Sequence, residues 1–150
     1  NFGGNETGSV MGRERFEKYV LPLLNEVADV FHRHGKFLGT HLDGNNRIWA
    51  DLVGKSGLDF IEAFSPSPDT DMSLAEAFDA WKGKAIWINF PSSLHLAPVS
   101  VVEETAAGLI RDSLPDKRLI MGITEDIPEN RWQETLPAIS RAIESFAGAK

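Results

Sequence analysis

Cysteine is absent from this chain of 150 residues, which excludes disulfides and every thiolate metal site and fits a cytoplasmic protein. Basic residues are few. Fifteen Lys and Arg against twenty-two Asp and Glu leave a formal charge of -7, with no basic stripe. A nucleic-acid or anionic-membrane surface needs clustered Lys and Arg, so neither is an expected partner. No apolar run approaches the roughly 20 residues of a membrane span, and no signal-peptide pattern opens the chain. Glycine-rich phosphate motifs are missing too: neither GxGxxG nor a P-loop follows any strand. What remains is an ordinary balance of apolar and charged residues, enough for one globular domain over residues 1–150.

Apolar spacing then divides the chain. Phe16, Val20, Leu23, Val27, Val30 and Phe31 recur at helical intervals, Pro22 predicts a kink or a broken start, and Gly35 stands where a left-handed cap would close the helix. A strand follows over Phe37–His41, and a short helix over about 47–53 with Asn46 as N-cap and Gly54 as stop. Leu58–Phe64 reads as a buried strand, and a proline-rich loop leads to the capping box Ser73-Leu74-Ala75-Glu76. That box opens a helix with Leu74, Phe78 and Trp81 on one face. Ala85–Phe90 is the next strand, 98–114 the next helix, and Arg118–Ile123 the last strand. Asp126 and Glu129 are placed to cap a final helix whose apolar residues are Trp132, Leu136, Ile139 and Ile143.

Four strands alternating with helices, each strand a near-continuous apolar run, imply α/β architecture with a parallel sheet. A doubly wound sheet would show a phosphate loop after its first strand. A (β/α)8 barrel needs about twice as many units. The chain opens on a loop-like segment in which Asn5 and Glu6 read as the end of a further strand, so it is expected to be a fragment, the C-terminal half of a TIM barrel. A half-barrel exposes two strand edges, so it should pair with the missing N-terminal half or form a homo-oligomer.

In either architecture function belongs at the C-terminal ends of the strands, and those ends are polar. The first gives His41, Asp43 and Asn45, the second Glu62, the third Asn89 and then His95, the fourth Thr124, Glu125 and Asp126. His41 and Asp43 are two apart, so on an extended strand end their side chains share a side. With Glu125 they make a one-His, two-carboxylate set that suits Zn, Mn or Fe. A His and an Asp two apart also suit a hydrogen-bonded pair that pins the turn, or acid-base work without metal. Glu62 lies in an apolar strand, where an unpaired carboxylate would be costly, and so needs a cation. Asn45, Glu62, Asn89, His95 and Asp126 are candidate substrate contacts. His32 and His34 end a helix, where cations favour the dipole, and Trp49, Trp81, Trp87 and Trp132 read as packing.

The succession Phe16-Glu-Lys-Tyr-Val-Leu-Pro22, Gly35-Lys36, His41-Leu-Asp-Gly-Asn45, Gly57-Leu-Asp59 and Ile127-Pro-Glu-Asn130 resembles the C-terminal half of the uroporphyrinogen decarboxylase (URO-D) superfamily, which includes the corrinoid-dependent methyltransferases. The resemblance implies a (β/α)8 barrel enzyme acting on a small molecule, with a tetrapyrrole or a corrinoid protein as possible partners. Two reactions follow from it: methyl transfer with a corrinoid as methyl donor, or tetrapyrrole decarboxylation (a lyase reaction) without metal. In the methyltransferase branch a His-x-Cys-Gly motif and a later cysteine hold zinc. Here His41 matches, Asp43 stands at the cysteine position, and Thr124 or Glu125 is nearest the place of the later cysteine. The decarboxylase branch has a histidine near the last strand, and Met121-Gly-Ile-Thr-Glu125 contains none. Methyl transfer is the preferred expectation, with Zn or another divalent metal held by His41, Asp43 and Glu125. A non-catalytic half-barrel that binds a small anion or a partner chain is the alternative outside catalysis.

Overall fold

Among the described residues five parallel strands follow one another across a single sheet in the order β1-β2-β3-β4-β5. The computed structural model describes residues 1–4, 6–114, 117–124 and 126–147. The strands are β1 (Glu6–Thr7), β2 (Gly39–Asp43), β3 (Phe60–Phe64), β4 (Ala85–Phe90) and β5 (Leu119–Ile123). Sequence periodicity yields four strands and the sheet has five, because β1 is two residues long and too short to carry an alternation. Its existence bears on the reading of Glu6 as strand; Asn5 lies outside the described residues.

Helices connect the strands. Two short turns, α1 (Gly8–Met11) and α2 (Arg13–Arg15), lead into α3 (Leu21–Arg33), and the later connections are α4 (Ala50–Lys55), α5 (Leu74–Ala80), α6 (Val99–Ser113) and α7 (Trp132–Ala147). The kink anticipated at Pro22 takes the form of a π-helical turn over Phe16–Val20, in which Leu21 N donates to Phe16 O. Pro22 then occupies the first turn of α3, where its missing N–H costs nothing. Gly35, at φ 63°, closes that helix in the left-handed region as expected.

Strand order that never reverses puts every right-handed crossover on the same side of the sheet. The packing follows. Leu38, Leu42, Ile61, Ile86 and Ile88 face the helices and join Phe16, Leu24, Trp49, Leu52, Phe78 and Trp81 in one core. Phe90 joins Val102, Ala106, Ala138, Ile139 and Ala142 in a second, under α6 and α7. The opposite face carries Gly39, His41 and Asp43 on β2, Phe60 and Glu62 on β3, and Trp87 and Asn89 on β4. It is open: Phe37 is 77% exposed, Trp87 41% and Ile120 44%. Parallel sheets are usually covered on both faces. The whole chain exposes 8311 Å², roughly 700 Å² more than a folded monomer of this mass would.

Several local expectations change on contact with the packing. Gly54 lies inside α4 rather than ending it, because the helix approaches the Ala80 carbonyl too closely there for a Cβ. Trp132 and Ile143 are exposed, and α7 buries Thr135, Ala138, Ile139 and Ala142 instead. Trp49 and Trp81 are core, whereas Trp87 lies on the open face. The chain enters α7 through a turn in which Arg131 N donates to Pro128 O, and the described bonds give neither Asp126 nor Glu129 a capping role.

Candidate functional site

His41 and Asp43 belong to β2 itself, which runs two residues past the span drawn from apolar residues alone. Period-two alternation puts both on the open face, with Leu42 between them in the core. The neighbouring strand supplies Glu62, which is in register with His41. Glu62 Oε2 lies 2.6 Å from His41 Nδ1, and Asp43 Oδ1 lies 3.1 Å from His41 Nε2. The imidazole is therefore gripped at both nitrogens by carboxylates. The same Glu62 oxygen accepts a bond from Asn1 Nδ2 at 3.0 Å. Partial burial works to lower the His41 pKa, but the Glu62 hydrogen bond and the charges of Asp43 and Glu62 outweigh it and the pKa is raised. The cation that Glu62 required is His41.

An irregularity follows Glu62, whose own side of the sheet is set by alternation with Phe60 and by its register with His41. Ile61 pairs with Ile86 and Phe64 with Ile88, so Glu62 and Ala63 together stand opposite Trp87 alone. Ala63 absorbs the extra residue at φ 61°, a left-handed conformation that an L side chain adopts at a cost of about 1–2 kcal/mol. Backbone strain of this kind persists only where the surroundings hold it.

The loop after Asp43 is built around Asn46, which is fully buried. Its Nδ2 donates to Leu42 O at 3.3 Å and Gly44 O at 3.0 Å, and its Oδ1 accepts from Trp49 Nε1 at 2.8 Å. Asn46 thus precedes a 3-10 turn over Arg47–Trp49 without capping it. The exposed amides there go instead to Asp71 Oδ1, from Asn46 N and Arg47 N. Gly44, at φ 64°, makes the turn. Beside it a recess of about 410 Å³ is lined by Thr7, Gly8, Ser9, Gly44, Asn45 and Ile48, and places the exposed Asn45 next to the end of β1.

The other candidates disperse. Asn89 is half-buried on the open face, two residues beyond Trp87. Asp126 is exposed, and it is its backbone carbonyl that takes the Ser92 hydroxyl bond. His95 does not line the open face: it is fully buried, with Nδ1 2.8 Å from Thr135 Oγ1 on α7 and its ring edge-on to Phe90. Burial and the nearby Arg131 lower its pKa, against a smaller opposite pull from Asp69. Arg131 fastens the same segment by donating to His95 O and Ala97 O. Glu125, expected to complete a metal set, lies outside the described residues, and among those described no three His, Asp or Glu side chains converge to hold a metal. Asn1 and Asp71 had no sequence signal, since each acts through partners distant in the chain, whereas Asn46 reads as an N-cap and instead ties Leu42 O, Gly44 O and Trp49 Nε1 together.

No protein-family model matches the sequence, and no curated protein matches it. Among solved structures the chain is similar to a methyltransferase from Methanosarcina mazei, with a TM-score of 0.70 at 15% identity. The match covers 95% of this chain and 40% of that one, so the chain spans well under half the length of the methyltransferase. At that identity the likeness is one of fold alone.

Proposed function

We propose that this chain forms the C-terminal half of a (β/α)8 barrel in an enzyme of the URO-D and corrinoid-dependent methyltransferase superfamily, and that its chemistry is methyl transfer. The observation that carries the reading is the convergence of His41 Nε2 and Asp43 Oδ1, 3.1 Å apart, at the end of β2 on the open face. Support for the barrel comes from the unreversed parallel order, the helices packed on one face and the fold likeness to a methyltransferase.

Two of the three proposed metal donors stand together. His41 and Asp43 present one nitrogen and one carboxylate oxygen side by side, a pairing suited to Zn, Mn or Fe in a chain without thiolates. They would hold the ion, with Glu125 as the third protein ligand. When bound, the metal supplies Lewis-acid activation of a nucleophile or acceptor group. The chain's own residues do the rest. Asp43 carries negative charge at the open end of the site, the recess at Thr7, Ser9 and Asn45 offers hydroxyl and amide groups to a small polar substrate, and Trp87 offers a flat apolar surface on the same face. Asn89 and Asp126 stay in the proposal as substrate contacts at the neighbouring strand ends, and a corrinoid carried by a partner protein as the methyl donor.

A second reading rests on a specific observation. Both His41 nitrogens face carboxylates and its pKa is raised, so a metal-free site would hold a charged imidazole able to donate a proton, as acid-base decarboxylation needs. Elemental analysis and calorimetry on wild type, His41→Ala and Asp43→Ala separate the two. One metal per chain, lost in both variants, supports metal-assisted methyl transfer. No metal in wild type refutes it and leaves the acid-base reading.

A further inference from the structure

We propose that His95 is the pin of a pH-sensitive latch beyond the C-terminal ends of β3, β4 and β5: with a neutral ring it holds the Ser92–Leu96 turn against α7, and on taking a second ring proton it lets the turn and the loops tied to it come away. The latch lies apart from His41 and Asp43 and does not depend on the reaction assigned to them.

The surroundings of the ring carry the proposal. His95 is fully buried, and its Nδ1 lies 2.8 Å from Thr135 Oγ1. That hydroxyl donates its own proton to Arg131 O, 3.0 Å away, so it accepts from Nδ1. Nε2 is left as a buried atom with no hydrogen-bond partner. A proton added to the ring goes to Nε2, where no acceptor meets it, and a buried charge left unpaired is costly. The neighbours raise that cost. Phe90 stands edge-on to the imidazole, and the charge of Arg131 opposes a second cation beside it. Glu134 is bonded to Arg131 rather than to the ring. Asp69, on the loop after β3, pulls the other way, but both of its oxygens are already taken by Ser93 N and Ser93 Oγ.

What the pin holds is a junction of loops. Arg131 donates to His95 O at 3.0 Å and to Ala97 O at 2.7 Å, which fastens the turn to the start of α7. Ser93 bonds Asp69 on the loop after β3, and Ser92 donates to Asp126 O on the loop after β5. Releasing His95 loosens all three. An expelled imidazole meets water at both nitrogens, so the open form gains the proton first as pH falls below the ordinary 6.5, and its population rises by up to about tenfold per pH unit.

Hydrogen exchange read by NMR on the whole chain tests the latch. The reporters are the amides of Ala97, bonded to Leu94 O, and of Thr135, bonded to Arg131 O; Ile86, bonded to Arg118 O, is the reference in the sheet. From about pH 7.5 to about pH 5.5 the protection factors of both reporters should fall about tenfold in wild type, while that of Ile86 holds. His95→Gln keeps an amide donor for Thr135 and takes up no proton, so its reporters should hold as well. Unchanged wild-type protection overturns the proposal, as does a fall of the same size at Ile86 or in His95→Gln. Should that variant not fold, the wild-type ring titration decides beside the exchange: His95 must titrate below the exposed His34, and a midpoint at or above that of His34 overturns the latch.

Discussion

Asn46→Ala should be among the most damaging single substitutions in this chain. The side chain is fully buried and makes three bonds: to Leu42 O, to Gly44 O, and from Trp49 Nε1. Truncation removes two donor bonds worth about 1 kcal/mol each, and strands the buried Trp49 N–H at a further cost of about 1–3 kcal/mol. The sum, about 3–5 kcal/mol, is a large share of the 5–15 kcal/mol that typically holds a domain together. Urea unfolding should therefore show a lower midpoint at an unchanged slope. A double-mutant cycle with Trp49→Phe isolates the indole bond, and a coupling of about 1 kcal/mol is expected. Asn46→Asp sharpens the test, because it keeps the acceptor for Trp49 but sets a carboxylate oxygen against two carbonyls, and so should not rescue. Since Leu42 O and Gly44 O flank Asp43, ring NMR of His41 should change together with stability. A loss below about 1 kcal/mol, or full rescue by Asp, would refute the view that this amide organises the loop.

Three further outcomes follow from the packing. His95, neutral and buried with its pKa below the ordinary 6.5, contributes stability that is complete above that value and is lost as pH falls below it, because there the unfolded chain binds the proton first; His95→Gln should flatten the pH dependence of the urea midpoint over that range, and an unchanged slope would count against it. Glu76, held down to about 2 by the Ser73 amide and then by Arg47, stabilises above its ordinary 4.5 and loses that contribution as pH falls towards 2, so the difference in thermal midpoint between wild type and Glu76→Gln should vanish over that interval. Gly54→Ala should lower the thermal midpoint despite the better helix propensity of alanine, since the added Cβ would lie 2.4 Å from Ala80 O and overpacking costs about 1–3 kcal/mol; a stabilised variant would show that α4 and α5 can part without cost.

Local and periodic features were legible in the sequence. The Ser73–Glu76 capping box forms with both of its bonds, because all of its atoms lie within one helical turn. Ala85–Phe90 is a strand over the span its apolar run marks, and Gly35 caps α3. The pairing of His41 with Asp43 was legible for the same reason: residues two apart on a strand share a side by geometry alone. Tertiary structure decided everything that depends on which strand lies beside which. Glu62 is 21 positions from His41, and its meaning as the carboxylate at Nδ1 exists only in the β2–β3 register. His95 reads as a loop residue near the strand ends, yet the docking of α7 buries it against Thr135. Trp87 reads as packing, but a sheet wound in one direction places its helices on one face and leaves that ring on the other. Periodicity records that a residue alternates; only the neighbouring strand and helix determine what it meets.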